Sequence, residues 1–160
     1  MTYQQWVLFA KLLDVVRNMA VKLDELTCNG EQKEQINAIQ QKMLLFVTDF
    51  KNKLAAQVDQ ETVRNTVIPL VFFLDEWLIK QYFKGRIGQW PLLQQSVCKT
   101  TNGGRLFYRS LDKSLSHGKQ HKFVYETYYF LLKDGFCGIY FDNPSKRKHY
   151  LTELEALLCR

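Results

Sequence analysis

Proline and glycine are scarce in this chain of 160 residues: there are 3 Pro and 8 Gly, and long stretches carry neither. That scarcity argues against a turn-rich β fold and for helices. Cysteine is sparse too. Cys28, Cys98, Cys137 and Cys159 lie at wide, irregular gaps with no CxxC, so the spacing indicates neither a zinc site nor a disulfide framework. Scattered free thiols suit a reducing compartment. No long hydrophobic run is present. The longest, Val67 to Leu74, is far short of the roughly 20 apolar residues that a spanning helix needs. The start, Met1-Thr2-Tyr3-Gln4-Gln5-Trp6, is polar, and Lys11, Asp14 and Arg17 interrupt the next dozen residues of apolar character, so no secretory signal is read and the chain as it stands is expected to be soluble. Internal repeats and low-complexity segments are lacking as well.

What is present is a heavy apolar and aromatic load: 46% apolar residues and 14% Phe, Trp and Tyr. A chain of this length and composition buries a real core, is not disordered, and is read as one domain over residues 1–160. The net charge of +6 is uneven. Residues 1–80 hold 9 Lys/Arg and 10 Asp/Glu (9 − 10 = −1), whereas residues 81–160 hold 13 and 6 (13 − 6 = +7). The basic half is expected to face a phosphate-bearing surface, nucleic acid or an acidic protein, unless it is simply a solvated face.

Hydrophobic periodicity predicts about seven helices, no confident strand, and so an all-α fold. Over residues 3–27, Trp6, Phe9, Leu13, Val16, Ala20 and Leu23 form one stripe, and Asn29-Gly30 supplies a stop. Over residues 31–58, Ile36, Ile39, Met43, Phe46, Phe50, Leu54 and Val58 form a second, which predicts two helices packed antiparallel. A third helix over 60–83 is apolar almost all round from Val67 to Leu74 and should be central, with a kink or restart at Pro69. Further helices are predicted over 90–99, 105–115 (Leu106, Phe107, Ser110 and Leu111 inward), 121–134 and 146–159. Gly135 suits a left-handed cap, Phe136 to Phe141 is expected to be extended, and Asp142-Asn143-Pro144-Ser145 reads as turn and cap.

Each motif that could carry chemistry has a packing alternative. Neighbouring helical residues point about 100° apart, so Asp75 and Glu76 cannot share a substrate as an acid/base pair. The structural reading is that one carboxylate accepts hydrogen bonds from a helix N-terminus or an indole N–H at the core edge. His117 and His121 have helical metal-site spacing, but Gly118 intervenes and no acid lies between Asp112 and Glu126. Gly103-Gly104 precedes an aromatic helix and lacks a GxGxxG or Walker pattern, so it reads as a tight turn that allows close helix approach. Lys146, Arg147 and Lys148 form a basic cluster suited to an anionic membrane surface or a solvated cap, with no interleaved aromatic platform for nucleic acid. In the Tyr125, Tyr128, Tyr129 and Phe130 group most members should be core, with some free to anchor a partner. Nothing here calls for a cofactor, a metal or catalysis.

In order, the landmarks resemble the DotU/TssL family (also IcmH or ImpK), inner-membrane subunits of bacterial type VI secretion systems with relatives in type IVB systems. The matching residues are Phe73-Leu74-Asp75-Glu76, then Trp90 with Gln94 and Ser96, then Gly103-Gly104 with Phe107 and Leu111. The block Glu126-Thr127-Tyr128-Tyr129…Gly135-Phe136-Cys137-Gly138-Ile139-Tyr140 is similar to the family's "LE-x-YY…LGF-x-G-x-Y" signature. The chain departs from the family at Gln81-Tyr82-Phe83-Lys84-Gly85, where a Thr-Pro-Trp-Gly-like turn is usual, and at Val97, Cys98 and Thr100, where a Phe-His-x-Glu stretch is common. The resemblance implies a helical cytoplasmic domain of two three-helix bundles in a hook shape, with a C-terminal transmembrane anchor after residue 160. The basic C-terminal half then fits the positive-inside rule. It also implies a scaffold role at the cytoplasmic face of the inner membrane, without catalysis. Its partners would be the large inner-membrane subunit (TssM/IcmF type), cytoplasmic baseplate proteins and a second copy as a dimer, not nucleic acid. The rival readings are a basic helical nucleic-acid-binding protein and an enzyme using Asp75 or Glu76.

Overall fold

The computed structural model describes residues 1–28 and 32–160. Among them are seven α-helices and no strand: α1 (Tyr3–Cys28), α2 (Lys33–Ala55), α3 (Gln60–Tyr82), α4 (Leu93–Cys98), α5 (Gly103–His117), α6 (Lys122–Lys133) and α7 (Pro144–Leu158). Two 3-10 turns, Ile87–Gln89 and Gly138–Tyr140, join them. The predicted stop at Asn29-Gly30 lies outside the described residues.

α3 is the hub, and its composition is the reason. Val67, Leu70, Val71, Phe72, Phe73 and Leu74 are consecutive or nearly so and all buried, so every side of this stretch needs a cover. α1, α2, α4, α5 and α6 all pack on it. Its start is fixed by Asp59, whose carboxylate accepts from the Thr62 N–H at 2.9 Å and the Thr62 hydroxyl at 2.6 Å. Pro69 does not restart the helix, which runs unbroken from Gln60 to Tyr82. Burial on all sides holds the residue in place despite the backbone bond it cannot donate.

α1 and α2 pack along each other with Phe9 against Phe50, ring centroids 6.3 Å apart. The start of α1 therefore lies beside the end of α2, the antiparallel arrangement. Phe9, Leu13, Val16, Ala20 and Leu23 are buried, while Trp6 is partly exposed and leans on Phe9 and Phe130. In α2 the buried stripe runs Ile39, Met43, Val47, Phe50, Leu54. Phe46 stands outside it, 41% exposed, and its neighbour Val47 takes the inward position: a 3.6-residue repeat from Met43 falls between the two. On the other side α6 packs against α3 and α7, and α5 against α3 and the Gly138–Tyr140 turn. α5 buries Phe107, Tyr108, Leu111 and Ser114, whereas Ser110 faces outward. The inward face is thus turned toward Tyr108, whose ring meets Phe136, Tyr140 and Tyr150.

Two segments differ from the periodicity. The fourth helix is only Leu93–Cys98, since Trp90 and Leu92 hold extended dihedrals around Pro91 and Lys99 turns left-handed. Within Phe136 to Phe141 the chain turns instead of running extended, with a 3-10 turn at Gly138–Tyr140: Gly138 has φ +52° and the Tyr140 N–H bonds the Cys137 carbonyl at 3.0 Å.

Candidate protein-docking site

The C-terminal half of α3 organises the residues that the sequence singles out. Asp75 is 1% exposed. Its Oδ1 accepts from the Trp90 indole N–H at 2.9 Å and the Leu93 N–H at 2.8 Å. Its Oδ2 accepts from the Gln94 N–H at 2.9 Å and the Gln94 side-chain amide at 3.0 Å. One carboxylate thus caps the first turn of α4 and fixes the indole that precedes it. Six residues are too few for a helix to persist unaided, so α4 depends on this anchor. Burial pushes the Asp75 carboxyl above the usual carboxylate range, against the pull of its four donors.

Gln94 extends the chain of bonds. While its amide nitrogen donates to Asp75, its Oε1 accepts the Gly103 N–H at 2.8 Å, which ties the first residue of α5 to α3 through two side chains. A Cβ built on Gly103 would lie 2.5 Å from Phe72 Cδ1 and 2.6 Å from Gln94 Oε1. Only glycine fits there.

Glu76, one position on, points elsewhere. Its two oxygens accept the N–H groups of Cys137 and Gly138, both at 2.7 Å, and Oε1 also takes the Lys80 ammonium at 2.6 Å. The two N–H groups point at one carboxylate, which folds the chain into the 3-10 turn there. Gly104 of α5 then meets that turn directly: a Cβ on Gly104 would sit 3.1 Å from Gly138 Cα, and one on Gly138 would sit 2.7 Å from the Gly104 carbonyl. The Tyr108 hydroxyl donates to the Cys137 carbonyl at 3.0 Å. Phe107 stacks on Phe136 with centroids 4.1 Å apart.

Asp75, Glu76, Trp90, Gln94, Gly103, Gly104, Phe107, Phe136, Gly138 and Tyr140 therefore gather around one end of α3. Glu126 and Tyr129 stand apart on α6: Glu126 pairs with the Met1 ammonium, and the Tyr129 hydroxyl bonds Glu155 at 2.9 Å. Gly135 ends α6 with φ +100°. Of the basic cluster, Lys146 lies over the Tyr150 ring and Arg147 touches the Cys137 sulfur, which leaves Lys148 exposed. His117 and His121 serve the backbone: His121 Nδ1 accepts the Phe123 N–H at 3.1 Å, and the His117 ring lies on the Lys113 carbonyl at 2.8 Å. Among the described residues no group of three His, Cys, Asp or Glu gathers as a metal-ligand set, and no helix is long and apolar enough to cross a membrane. Sequence reasoning missed the Gln94 bridge and the Gly104–Gly138 contact. The only signal for either was an amide and three glycines in a chain short of glycine.

Beside this framework a cleft of about 680 Å³ opens between α3, the start of α5 and the 3-10 turn. Ile79, Leu92, Ile139 and Phe141 give it an apolar wall, and Lys80 and Arg105 stand at it. Ile139 is 44% exposed and Phe141 74%. Large apolar side chains left in water beside a concave wall are the features of a binding surface. The carboxylates behind it already hold the donors that fix the fold, so the arrangement presents shape and apolar area rather than a free acid, base or nucleophile.

No curated protein matches the chain. Among solved structures, DotU from Francisella novicida superposes with a TM-score of 0.67 at 22% identity, covering 91% of this chain and 97% of that one. This likeness carries the fold. The family model described as "Type VI secretion system protein DotU" matches residues 9–160, a span that holds both carboxylates, the glycine pair and the 3-10 turn. The chain belongs to the DotU family of type VI secretion system proteins.

Proposed function

We propose that this chain is a scaffold subunit of a type VI secretion membrane complex, linking the inner-membrane complex to the cytoplasmic baseplate. In this reading residues 1–160 act as one cytoplasmic domain held at the inner membrane by an anchor outside the sequence. The large TssM/IcmF-type subunit, baseplate proteins and a second copy of the chain are its partners, and it catalyses nothing. Family membership supports the secretion role. The observation that carries the scaffold role is the cleft with its exposed Ile139 and Phe141, set on a frame whose carboxylates are consumed by packing.

The test is co-purification with the cytoplasmic part of the large membrane subunit and, separately, with baseplate proteins. Phe141→Asp should keep the melting temperature and lose at least one of these partners, because a charge at the apolar wall costs binding and not core packing. Phe141→Asp retaining every partner, or a wild-type chain that captures none, sinks the reading.

A further inference from the structure

The outer face of α5 carries a charge pattern that meets the cleft only at its first member, Arg105. Arg105, Arg109 and Lys113 recur every four residues and are all exposed. They fall within an arc of about 80° and succeed one another at about 6 Å along the axis, from the helical twist and rise. Among the described residues none of the three takes part in an ion pair. The single acid on α5, Asp112, is held by the Tyr150 hydroxyl at 2.7 Å. The result is a straight row of cations on a helix fixed at both ends: its start by Gln94, its end by the left-handed Gly118.

We infer that this ridge docks an acidic helix of a protein partner whose carboxylates also repeat every four residues. Such a helix repeats its charges at the same ~6 Å, so three pairs form in register, and each arginine offers a fork that matches a carboxylate. A lipid surface offers no register, and a membrane-lying helix needs apolar side chains beside its cations. This face has none: Asp112 and Ser116 are its other exposed members. The phosphates of a duplex trace a curved path that a straight row tracks poorly, and none of the exposed residues of α5 is a Phe, Tyr or Trp on which successive bases could stack. The inference rests on the scaffold reading and names a second surface of that scaffold, the charged one, alongside the apolar cleft.

The test uses two synthetic helical peptides of identical composition, one with glutamates at every fourth position on one face, the other with the same glutamates spread round the helix. Binding to the chain is monitored by fluorescence anisotropy at low and physiological salt, beside phosphatidylglycerol vesicles and duplex DNA. The expected result is at least a tenfold preference for the in-register peptide, weakening with salt, and its loss in the triple variant R105E/R109E/K113E. The triple variant should keep the wild-type melting temperature, since all three side chains are exposed. Equal binding of the two peptides, binding of neither, or binding to vesicles or DNA alone overturns the inference. If the peptides fail while the large membrane subunit still co-purifies, the ridge is wrong and the scaffold reading stands.

Discussion

Replacing Asp75 by Asn changes one atom and preserves shape, which makes it the sharpest probe of the framework. Each carboxylate oxygen accepts two donors. The amide keeps one oxygen and presents an N–H pair where the other was, so two buried donors lose their acceptor and face further donors. A buried unsatisfied donor costs about 1–3 kcal/mol, or roughly 2–6 kcal/mol for two. Removing a charge that burial disfavours returns part of this, leaving a net loss of about 2–4 kcal/mol. With a urea m-value of about 2 kcal/mol per molar, the midpoint should fall by about 1–2 M at unchanged slope. Two-state urea unfolding monitored by far-UV dichroism and by Trp fluorescence measures it, and Trp90 reports on the site itself. A midpoint within ~0.2 M of wild type, a tenth or so of the expected effect, refutes the argument that these four bonds hold α4 to α3.

The same residue gives a pH test. Because burial raises the Asp75 carboxyl in the folded chain, the folded state holds that proton more tightly than the unfolded one. The group's contribution is fully present below the unfolded carboxylate value and is lost as pH rises through the folded one. The stability gap between wild type and Asp75→Asn should therefore widen on acidification from neutral pH through that window, and a gap that narrows would mean the donors outweigh burial. Gly138→Ala places a methyl 2.7 Å from the Gly104 carbonyl at φ +52°, and should cost about 2–4 kcal/mol in thermal or urea melts. Gly88→Ala, with nothing within 4 Å, should stay within about 0.5 kcal/mol. Glu76→Gln leaves one oxygen for two backbone donors, so about 1–3 kcal/mol should be lost, with faster amide exchange at Cys137 and Gly138. Unchanged exchange there would show that Glu76 is not what holds the turn.

The helices are legible in the sequence because their signals are local. The stripes of α1 and α2 and the all-round apolar run of α3 each lie within one stretch of chain, where a 3.6-residue repeat acts directly. Errors arise where the repeat gives a choice between neighbours, as at Phe46 against Val47 and at Ser110 against Tyr108 and Ser114. Which neighbour turns inward is decided by the surface opposite, and the repeat does not contain it. The 3-10 turn at Gly138–Tyr140 reads as extended for a related reason: its donors answer to Glu76, 61 and 62 residues earlier. The residues of the framework stand out as an ordered set, while the bonds among them run between distant segments. The basic ridge on α5 is visible in the sequence as composition, a positive C-terminal half. It becomes a row only once the helix fixes the direction of each side chain.

The carboxylates of α3 also impose an order on synthesis. Asp75 and Glu76 leave the ribosome before every group that satisfies them: Lys80 comes soon after, the Asp75 donors 15 to 19 residues later, and the Glu76 backbone donors 61 and 62 later. Until then α3 carries two waiting charges beside an apolar surface with no cover on its α4, α5 and α6 sides. The first three helices thus emerge as an unfinished half, and the chain closes only when its last third arrives. A truncation that ends after α3 should behave as a sticky fragment in need of a chaperone, and the finished fold gains or loses both halves together.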